Sequence, residues 1–333
     1  MSSFSIVFSG VHLKSLSIIR MPTLSFDESP KARAVARVKG GNYDGEVLYL
    51  HEDDAGGLRR PTIEFNKTKY AKELKGLKPV EKTRVFVKIE EALKSGDDSI
   101  VEGKEAQELL EKIKKDIAST TRIELDDDGI FELLPTPDAK RREVWYIAGQ
   151  SGSGKSWIAK QLASFYHKLF PQRGIYLISK LDKDETLDAL KFLKRIPIQS
   201  FVDDYPTLEE FKDTMCIFDD YDTLTGDAEK IIAKIIDDLA IMGRHENVTI
   251  LALSHYLTNY KKTRLLLNEA THIVVYPLST SYHALLYLIK NYVGVDENDL
   301  KRHKKLGSRW LMYSKGFPQY MISQKGAELL HTD

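Results

Sequence analysis

Residues 149–156 read G-Q-S-G-S-G-K-S and match G-x-x-x-x-G-K-[ST], the pattern of a phosphate-binding loop, or P-loop. The apolar run Val144–Ala148 before them is typical of a buried strand, and apolar residues recur at helical spacing over 157–169. This strand, turn and helix form the context that the motif requires, because the helix dipole and the loop N–H groups together attract phosphate oxygens. The alternative is a chance match in a Gly/Ser-rich loop, and the flanking pattern argues against it.

The P-loop predicts a site for ATP and Mg²⁺. Lys155 is expected to contact the β- and γ-phosphates, and the Ser156 hydroxyl to ligate Mg²⁺. The residues predicted to surround the phosphates are Gly149, Gln150, Ser151, Gly152, Ser153, Gly154, Lys155, Ser156 and Trp157.

The composition excludes several classes of protein. The 333 residues include 49 Lys+Arg and 49 Asp+Glu, so the chain is no bulk polycation and any contact with nucleic acid must be local. The single cysteine, Cys216, excludes an internal disulfide framework and a cysteine-based zinc site, and its apolar surroundings predict a core position. No apolar run reaches transmembrane length, and residues 1–20 lack a convincing cleavage site, so an intracellular protein is expected. Met21 is an alternative start.

The chain length favours two domains, with a boundary near Pro135. Residues 1–135 are predicted to form a small α+β accessory domain of open role, with 1–25 as a candidate flexible extension. Residues 136–333 are predicted to form the ATPase domain. The elements predicted in the first part are a β-hairpin over 34–50, strands at 62–65 and 85–89, a helix at 102–118, a turn at 126–129 and a linker at 134–138.

The second part alternates strands and helices, which predicts an α/β fold with a mostly parallel sheet and helices on both faces. The strand candidates are continuously apolar and lie at 144–148, 174–179, 215–218, 248–254 and 272–276. Ligands bind such sheets beyond the carboxyl ends of the strands. We therefore expect the P-loop to meet the acids and the histidine that follow two other strands.

Asp219 and Asp220 follow the apolar strand at 215–218 and resemble the second motif of P-loop ATPases. Asp219 is predicted to hold the Mg²⁺ shell, and Asp220 to be the general base that orients the attacking water. Asp222 is the runner-up for either role. His255, at the tip of the strand at 248–254, is predicted to sense the γ-phosphate, whereas the simpler alternative is a surface histidine.

ATP hydrolysis gains from an added positive charge on the γ-phosphate, often an arginine finger from a neighbouring subunit. Arg244 and Arg264 are the two candidates, with a slight preference for Arg244. Either could instead form a surface salt bridge.

Several short motifs of the second part resemble the FtsK/HerA superfamily, and the branch they resemble most is the poxvirus-type genome-packaging ATPases of large double-stranded DNA viruses. The motifs are G-R-H-E-N at 243–247, S-H-Y at 254–256, T-R at 263–264, L-N-E at 267–269, S-R-W-L-M at 308–312 and P-Q-Y at 318–320. The resemblance covers roughly residues 140–330. It implies a RecA-like P-loop NTPase core and a homo-oligomeric ring, commonly a hexamer. Such a ring would package viral double-stranded DNA into a preformed capsid, with a capsid or portal protein as a partner. The expected location is the host cytoplasm, a viral factory or the virion.

The chain departs from the family pattern at two site positions. Asp220 stands where many related ATPases have Glu, and His255 where many members have Gln. Residues 1–135 match nothing that we could place.

A DNA translocase needs basic residues that contact phosphates without reading bases. The candidates are Lys261, Lys262, Lys301, Arg302, Lys304 and Lys305. They form two clusters, one at 261–262 and one at 301–305, and an ordinary solvated charged face is the alternative for each.

Two other functions compete with the DNA translocase. The first is a P-loop kinase or phosphotransferase acting on a small substrate, which the tandem acids and the polar strand tip disfavour. The second is a nucleotide-binding virion scaffold without turnover, which the presence of Asp220 disfavours.

Overall fold

The computed structural model describes residues 22–52, 67–118, 122–125 and 128–330. The strands in these residues are β1 (Thr23–Ser25), β2 (Ala32–Lys39), β3 (Val47–His51), β4 (Arg122–Glu124), β5 (Ile130–Leu133), β6 (Val144–Ala148), β7 (Ile175–Ser179), β8 (Leu193–Ile196), β9 (Met215–Asp219), β10 (Thr249–Ser254), β11 (His272–Val275), β12 (Leu311–Ser314), β13 (Tyr320–Ser323) and β14 (Gly326–Leu329). The helices are α1 (Lys67–Tyr70), α2 (Pro79–Ser95), α3 (Lys104–Ala118), α4 (Lys155–Leu169), α5 (Ile198–Asp203), α6 (Gly226–Met242), α7 (Arg264–Glu269), α8 (Tyr282–Tyr292) and α9 (Glu297–Lys305). Short 3₁₀ helices lie at Asp98–Ile100, Leu208–Phe211 and Tyr221–Thr223.

The larger sheet has the strand order β4-β14-β13-β12-β11-β6-β10-β9-β7-β8 in the described residues. Its half from β11 to β8 is parallel, and the half from β12 to β4 is antiparallel. The five strands predicted from continuous apolar runs are all present and mutually parallel. The α/β architecture is the one predicted for a RecA-like P-loop NTPase core.

Each face of this sheet has its own apolar core, because side chains alternate between the faces along each strand. Trp145 and Ile147 of β6 point to one face, where they share a core with Ile158 and Leu162 of α4. The other face packs against helices α6, α7 and α8. Helices therefore cover both faces, as the apolar strands predicted.

The N-terminal strands form a second, antiparallel sheet in the order β1-β3-β2-β5. Its buried residues, such as Leu48 and Phe131, belong to the same core as α4. Helices α2 and α3 instead share a separate cluster that includes Ile89 and Ile113. The division at Pro135 stays a prediction, and the structure adds that strands before this residue share an apolar core with helix α4.

The predicted strand at 85–89 is wrong, because these residues lie inside α2. The helix begins with Pro79 as its first residue, and Glu81 accepts a hydrogen bond from the Lys78 N–H at 2.7 Å. Phe86 and Ile89 are buried three residues apart, whereas Val87 is exposed, which is a helical pattern. The β-branched residues favoured a strand locally, and the helix start and the packing on α3 prevail.

The hairpin at 34–50 and the helix at 102–118 are confirmed by β2, β3 and α3. The predicted strand at 62–65, the predictions for residues 1–21 and half of the turn at 126–129 lie outside the described residues. Strand β8 and the antiparallel strands β12–β14 were not foreseen. No helix in the described ranges is both long and apolar enough to cross a membrane.

Candidate nucleotide-binding site

The P-loop joins the buried strand β6 to helix α4, which begins at Lys155. Gly152 and Gly154 have φ angles of 73° and 114°, values that favour glycine. Gly149 leaves no room for a side chain, since a Cβ there would lie 2.6 Å from Tyr276 and 2.7 Å from Ser153. These three glycines thus bring the backbone of the loop close to itself and to the end of β11, which is the compact shape that a phosphate cradle needs.

Lys155 is directed back into the loop. Its Nζ donates hydrogen bonds to the carbonyl oxygens of Gly149 at 2.9 Å and Gln150 at 3.3 Å, and only 7% of the residue is exposed. Burial lowers the pKa of the Lys155 ammonium, while the nearby carboxylates of Asp220 and Asp219 act in the opposite direction. The structure therefore places the P-loop lysine close enough to the predicted acids for their charges to interact.

Asp219 ends β9 at the carboxyl edge of the sheet and is 3% exposed. Burial, followed by the charges of Asp220 and Asp184, raises its pKa to about 6, and Lys155 and a hydrogen bond from Ser179 oppose that rise. The Ser179 hydroxyl donates to Asp219 Oδ2 at 3.3 Å. A buried carboxylate with few donors of its own is suited to a cation that would satisfy it.

The raised pKa of Asp219 predicts how this residue affects stability. Its pKa moves from 3.8 to about 6 on folding, so the buried carboxylate destabilises the metal-free fold fully above pH 6, and this cost is absent below about pH 4. At pH 8 without nucleotide or metal, Asp219→Asn should therefore raise the free energy of unfolding by at most about 3 kcal/mol, and by about half of that at pH 5. Urea unfolding at the two pH values measures both quantities. Asp227→Asn, at an exposed acid, is the control, and a gain from Asp219→Asn that does not change with pH would contradict the prediction.

Asp220 and His255 form a pair. The His255 Nε2–H donates to Asp220 Oδ1 at 2.6 Å, and both side chains are partly exposed. Asp220 has a φ of 51°, a left-handed conformation that Asp tolerates at some cost in energy. The backbone there turns the carboxylate away from the strand direction and towards the histidine at the tip of β10.

Asp222 has a different surrounding from the two preceding acids. Its Oδ2 accepts the Ser254 hydroxyl at 2.8 Å and the His255 N–H at 2.7 Å, and the residue is 4% exposed. By accepting these two hydrogen bonds, the Asp222 carboxylate fixes the position of the residues at the end of β10. The geometry thus favours Asp220 over Asp222 as the acid that faces a water molecule.

Asp184 is a further candidate site residue, which no sequence motif indicated. The Ser156 hydroxyl donates to Asp184 Oδ2 at 3.4 Å, and the Asp184 charge contributes to the raised pKa of Asp219. Asp184 follows β7, which ends at the same edge of the sheet as β6 and β9. The rule that ligands bind beyond the carboxyl ends of strands would have found it.

Arg309 is the second missed residue. Its Nε donates to the Ser153 carbonyl oxygen at 2.8 Å, and one of its terminal nitrogens donates to the Gly152 carbonyl oxygen at 3.0 Å. It precedes β12 within the S-R-W-L-M motif at 308–312, a signal for the residue itself, but the motif does not indicate a contact with the distant P-loop.

Comparison with known proteins places the chain beside a virophage protein. No family model matches it. It is 36% identical over 202 residues to the uncharacterized protein V3 of Sputnik virophage, and the match covers 60% of this chain and 82% of the virophage protein. The chain belongs to the family of this V3 protein.

Solved structures similar to this V3-family chain include a genome packaging NTPase, a secretion ATPase and a conjugation coupling protein. The genome packaging NTPase B204 of Sulfolobus turreted icosahedral virus 2, in complex with ATP-gammaS, is 16% identical with a TM-score of 0.36, over 57% of this chain and 98% of B204. The cytoplasmic domain of the type VII secretion ATPase EccC of Thermomonospora curvata is 14% identical with a TM-score of 0.41, over 62% and 28%. The pCW3 conjugation coupling protein TcpA is 11% identical with a TM-score of 0.36, over 88% and 77%.

The two candidate arginine fingers of the V3-family chain lie at opposite edges of the sheet. Arg244 follows α6 and precedes β10, so it is exposed at the amino edge, away from the P-loop of its own chain. Arg264 begins α7 beyond the carboxyl edge of β10, where its guanidinium stacks on the Tyr260 ring at 5.0 Å and donates to the Tyr260 hydroxyl at 2.6 Å. Arg244 could therefore serve only the site of another subunit.

The candidate DNA-contacting residues differ in their ion pairs and in their exposure. In α9, Lys301 pairs with Glu297 at 2.7 Å, and Arg302 pairs with Asp299 at 2.6 Å and with Glu328. Lys262 likewise pairs with Glu229 at 2.7 Å. Lys261, Lys304 and Lys305 are exposed at least in part. Arg302 thus has a structural role in holding α9 to β14, and the lysines keep their candidacy.

The residues beside the P-loop fit a magnesium ion. The Ser156 hydroxyl and the carboxylates of Asp219 and Asp184 are oxygen donors, which Mg²⁺ prefers. In the described part of the chain, no group of three or more His, Cys, Asp or Glu side chains is arranged to hold a metal. A Mg²⁺ that takes its other ligands from phosphate and water agrees with such a small donor set.

Proposed function

We propose that the chain binds and hydrolyses ATP and couples hydrolysis to the movement of double-stranded DNA. The observation that carries the first part is the convergence, at one edge of the sheet, of Lys155, Ser156, Asp219 and the Asp220–His255 pair. Each is the residue type that phosphoryl transfer requires: a cation and hydroxyl for the phosphates and Mg²⁺, an acid for the metal shell and a base for water.

In the proposed reaction, the P-loop amides and Lys155 hold the phosphates. Ser156 and Asp219 would hold Mg²⁺, which when bound would supply positive charge to the phosphate oxygens. Asp220 accepts the proton of the attacking water as the new bond to the γ-phosphorus forms and the bond to the bridging oxygen of ADP breaks. His255 Nε2–H keeps the Asp220 carboxylate in place through the 2.6 Å hydrogen bond.

Hydrogen bonds that connect this site to a candidate DNA-contacting loop support the second part of the proposal. Asp222 holds the Ser254 hydroxyl and the His255 N–H, and its own carbonyl oxygen accepts a hydrogen bond from Lys262 Nζ at 3.2 Å. The 256–263 loop that starts there carries the exposed Tyr260 and Lys261. A change at the γ-phosphate can thus reach a basic, aromatic loop over a few bonds.

The resemblance to packaging ATPases extends the proposal to its partners. The chain would act as a homo-oligomeric ring, a hexamer by family likeness, that packages viral DNA into a capsid through a capsid or portal protein. Arg244, being exposed at the amino edge, or Arg264 would reach the ATP of a neighbouring subunit.

Steady-state ATP hydrolysis with and without double-stranded DNA tests the proposal. We expect turnover that DNA stimulates and that Lys155→Ala abolishes. The variant Lys261→Ala should keep basal turnover and lower the stimulation, because Lys261 is exposed and makes no contact with Asp222. Lys104→Ala, at an exposed lysine of α3, is the matched control.

Two results would overturn the proposal in different ways. If DNA does not change ATP turnover by the folded wild-type protein, a small-substrate phosphotransferase would be favoured. ATP binding without any turnover would favour a nucleotide-binding scaffold.

A further inference from the structure

Arg309 fixes two peptide units of the P-loop from outside. The carbonyl groups of Gly152 and Ser153 that it bonds belong to the peptide units whose N–H groups are those of Ser153 and Gly154. A trans peptide is planar, so its C=O and N–H point in opposite directions. A guanidinium that holds both carbonyl groups therefore also sets the direction of both N–H groups.

The direction of these N–H groups matters because a P-loop cradles phosphate with its backbone amides. The Ser153 N–H donates a long 3.2 Å hydrogen bond to the Gln150 carbonyl oxygen, and Gly154 is the N-cap residue of helix α4. A cation bonded to the carbonyl side also polarises each peptide, which makes its N–H a stronger donor. Arg309 thus favours an anion on the inner side of the loop.

An arginine suits this position better than a lysine. Its planar fork reaches two acceptors at once, whereas an ammonium is a point charge. The Arg309 guanidinium lies 3.5 Å from the place where a Cβ on Gly154 would be, so it packs directly on the loop.

The C-terminal strands hold Arg309 in place. The backbone N–H of Arg309 donates to Gln324 Oε1 at 2.9 Å, and the flanking residues Ser308 and Trp310 are buried. Gln324 lies between β13 and β14, and its carbonyl oxygen accepts a hydrogen bond from the Phe131 N–H at 2.9 Å. The P-loop is therefore connected through Arg309 to the antiparallel half of the sheet and to the small N-terminal sheet.

We propose that Arg309 is a positioning residue for nucleotide binding, which braces the P-loop so that its amides face the phosphates. This inference rests on the proposed ATP binding. It assigns a task to the antiparallel strands β12–β14, which set the affinity of the nucleotide site through one side chain.

The affinity for a fluorescent ATP analogue tests the proposal on the full-length chain. We expect Arg309→Ala to weaken binding about tenfold, the loss of part of two charge-assisted hydrogen bonds. Arg309→Lys should weaken it by a similar factor, because one ammonium cannot span both carbonyl groups. In steady state the KM for ATP should rise with a smaller change in kcat. Arg84→Ala, at an exposed arginine of α2, is the control, and thermal unfolding without nucleotide verifies that each variant is folded.

The outcomes separate this inference from the proposed function. If the wild-type chain does not bind the analogue, the proposed function fails first. If the wild type binds and folded Arg309→Ala binds equally well, Arg309 has no such role. Wild-type affinity in Arg309→Lys would show that charge alone matters and would overturn the brace.

Discussion

Lys155→Ala should reduce ATP turnover by about 10³-fold or more, since the chemistry depends on positioning and on stabilising phosphate charge in the transition state. The structure places the Lys155 ammonium inside the loop, where it donates hydrogen bonds to the carbonyl oxygens of Gly149 and Gln150. The negative charges of Asp220 and Asp219 favour its protonated form. A bound γ-phosphate would replace those carbonyl groups as its partner. Measurement of phosphate release at saturating ATP tests the prediction.

The loss should come from chemistry and nucleotide contact, with the fold intact. Burial already lowers the pKa of Lys155 and thus opposes its charge. Removal of the ammonium should therefore leave the unfolding temperature without nucleotide nearly unchanged. Turnover within tenfold of the wild type would show that the loop is not the site of hydrolysis.

The parallel half of the large sheet could be predicted from the sequence because its strands are buried on both faces. Continuous apolar runs such as Val144–Ala148 and 215–218 are typical of strands that are covered on both faces. The antiparallel strands β12–β14 escaped prediction although they too are buried along their length. They are four residues each and lie among polar turns, where length and periodicity give too little signal.

The candidate site divides in the same way. The P-loop and Asp219–Asp220 lie within single strand-to-loop segments, so local sequence suffices to predict their type. Asp184 and Arg309 enter the site through tertiary structure, by strand order in one case and by the packing of the C-terminal strands in the other. The helical residues at 85–89 show the opposite error, in which β-branched residues gave a local preference that helix capping and packing overrode.

The acid that follows Asp219 provides the second large effect. We expect Asp220→Asn to lower turnover by about 10²–10⁴-fold while ATP binding stays within a few-fold of the wild type, because a general base acts on the proton of water in the transition state and not on the bound phosphates. An amide cannot accept that proton. Single-turnover hydrolysis together with analogue binding separates the two effects, and Asp227→Asn, which removes one exposed carboxylate nearby on the chain, is the control.

Variants of His255 test the same role of Asp220 through the hydrogen bond between the two side chains. Its Nε2–H only needs to donate to Asp220 Oδ1, a task that an amide N–H can also perform. His255→Gln should therefore keep turnover within about tenfold of the wild type, whereas His255→Ala should lower it further, because the Asp220 carboxylate then loses its partner in a strained left-handed conformation. If Asp220→Asn turned over ATP at the wild-type rate, the base would have to be another acid at this edge. Asp184 would be the first to substitute, because it already accepts the Ser156 hydroxyl and raises the pKa of Asp219.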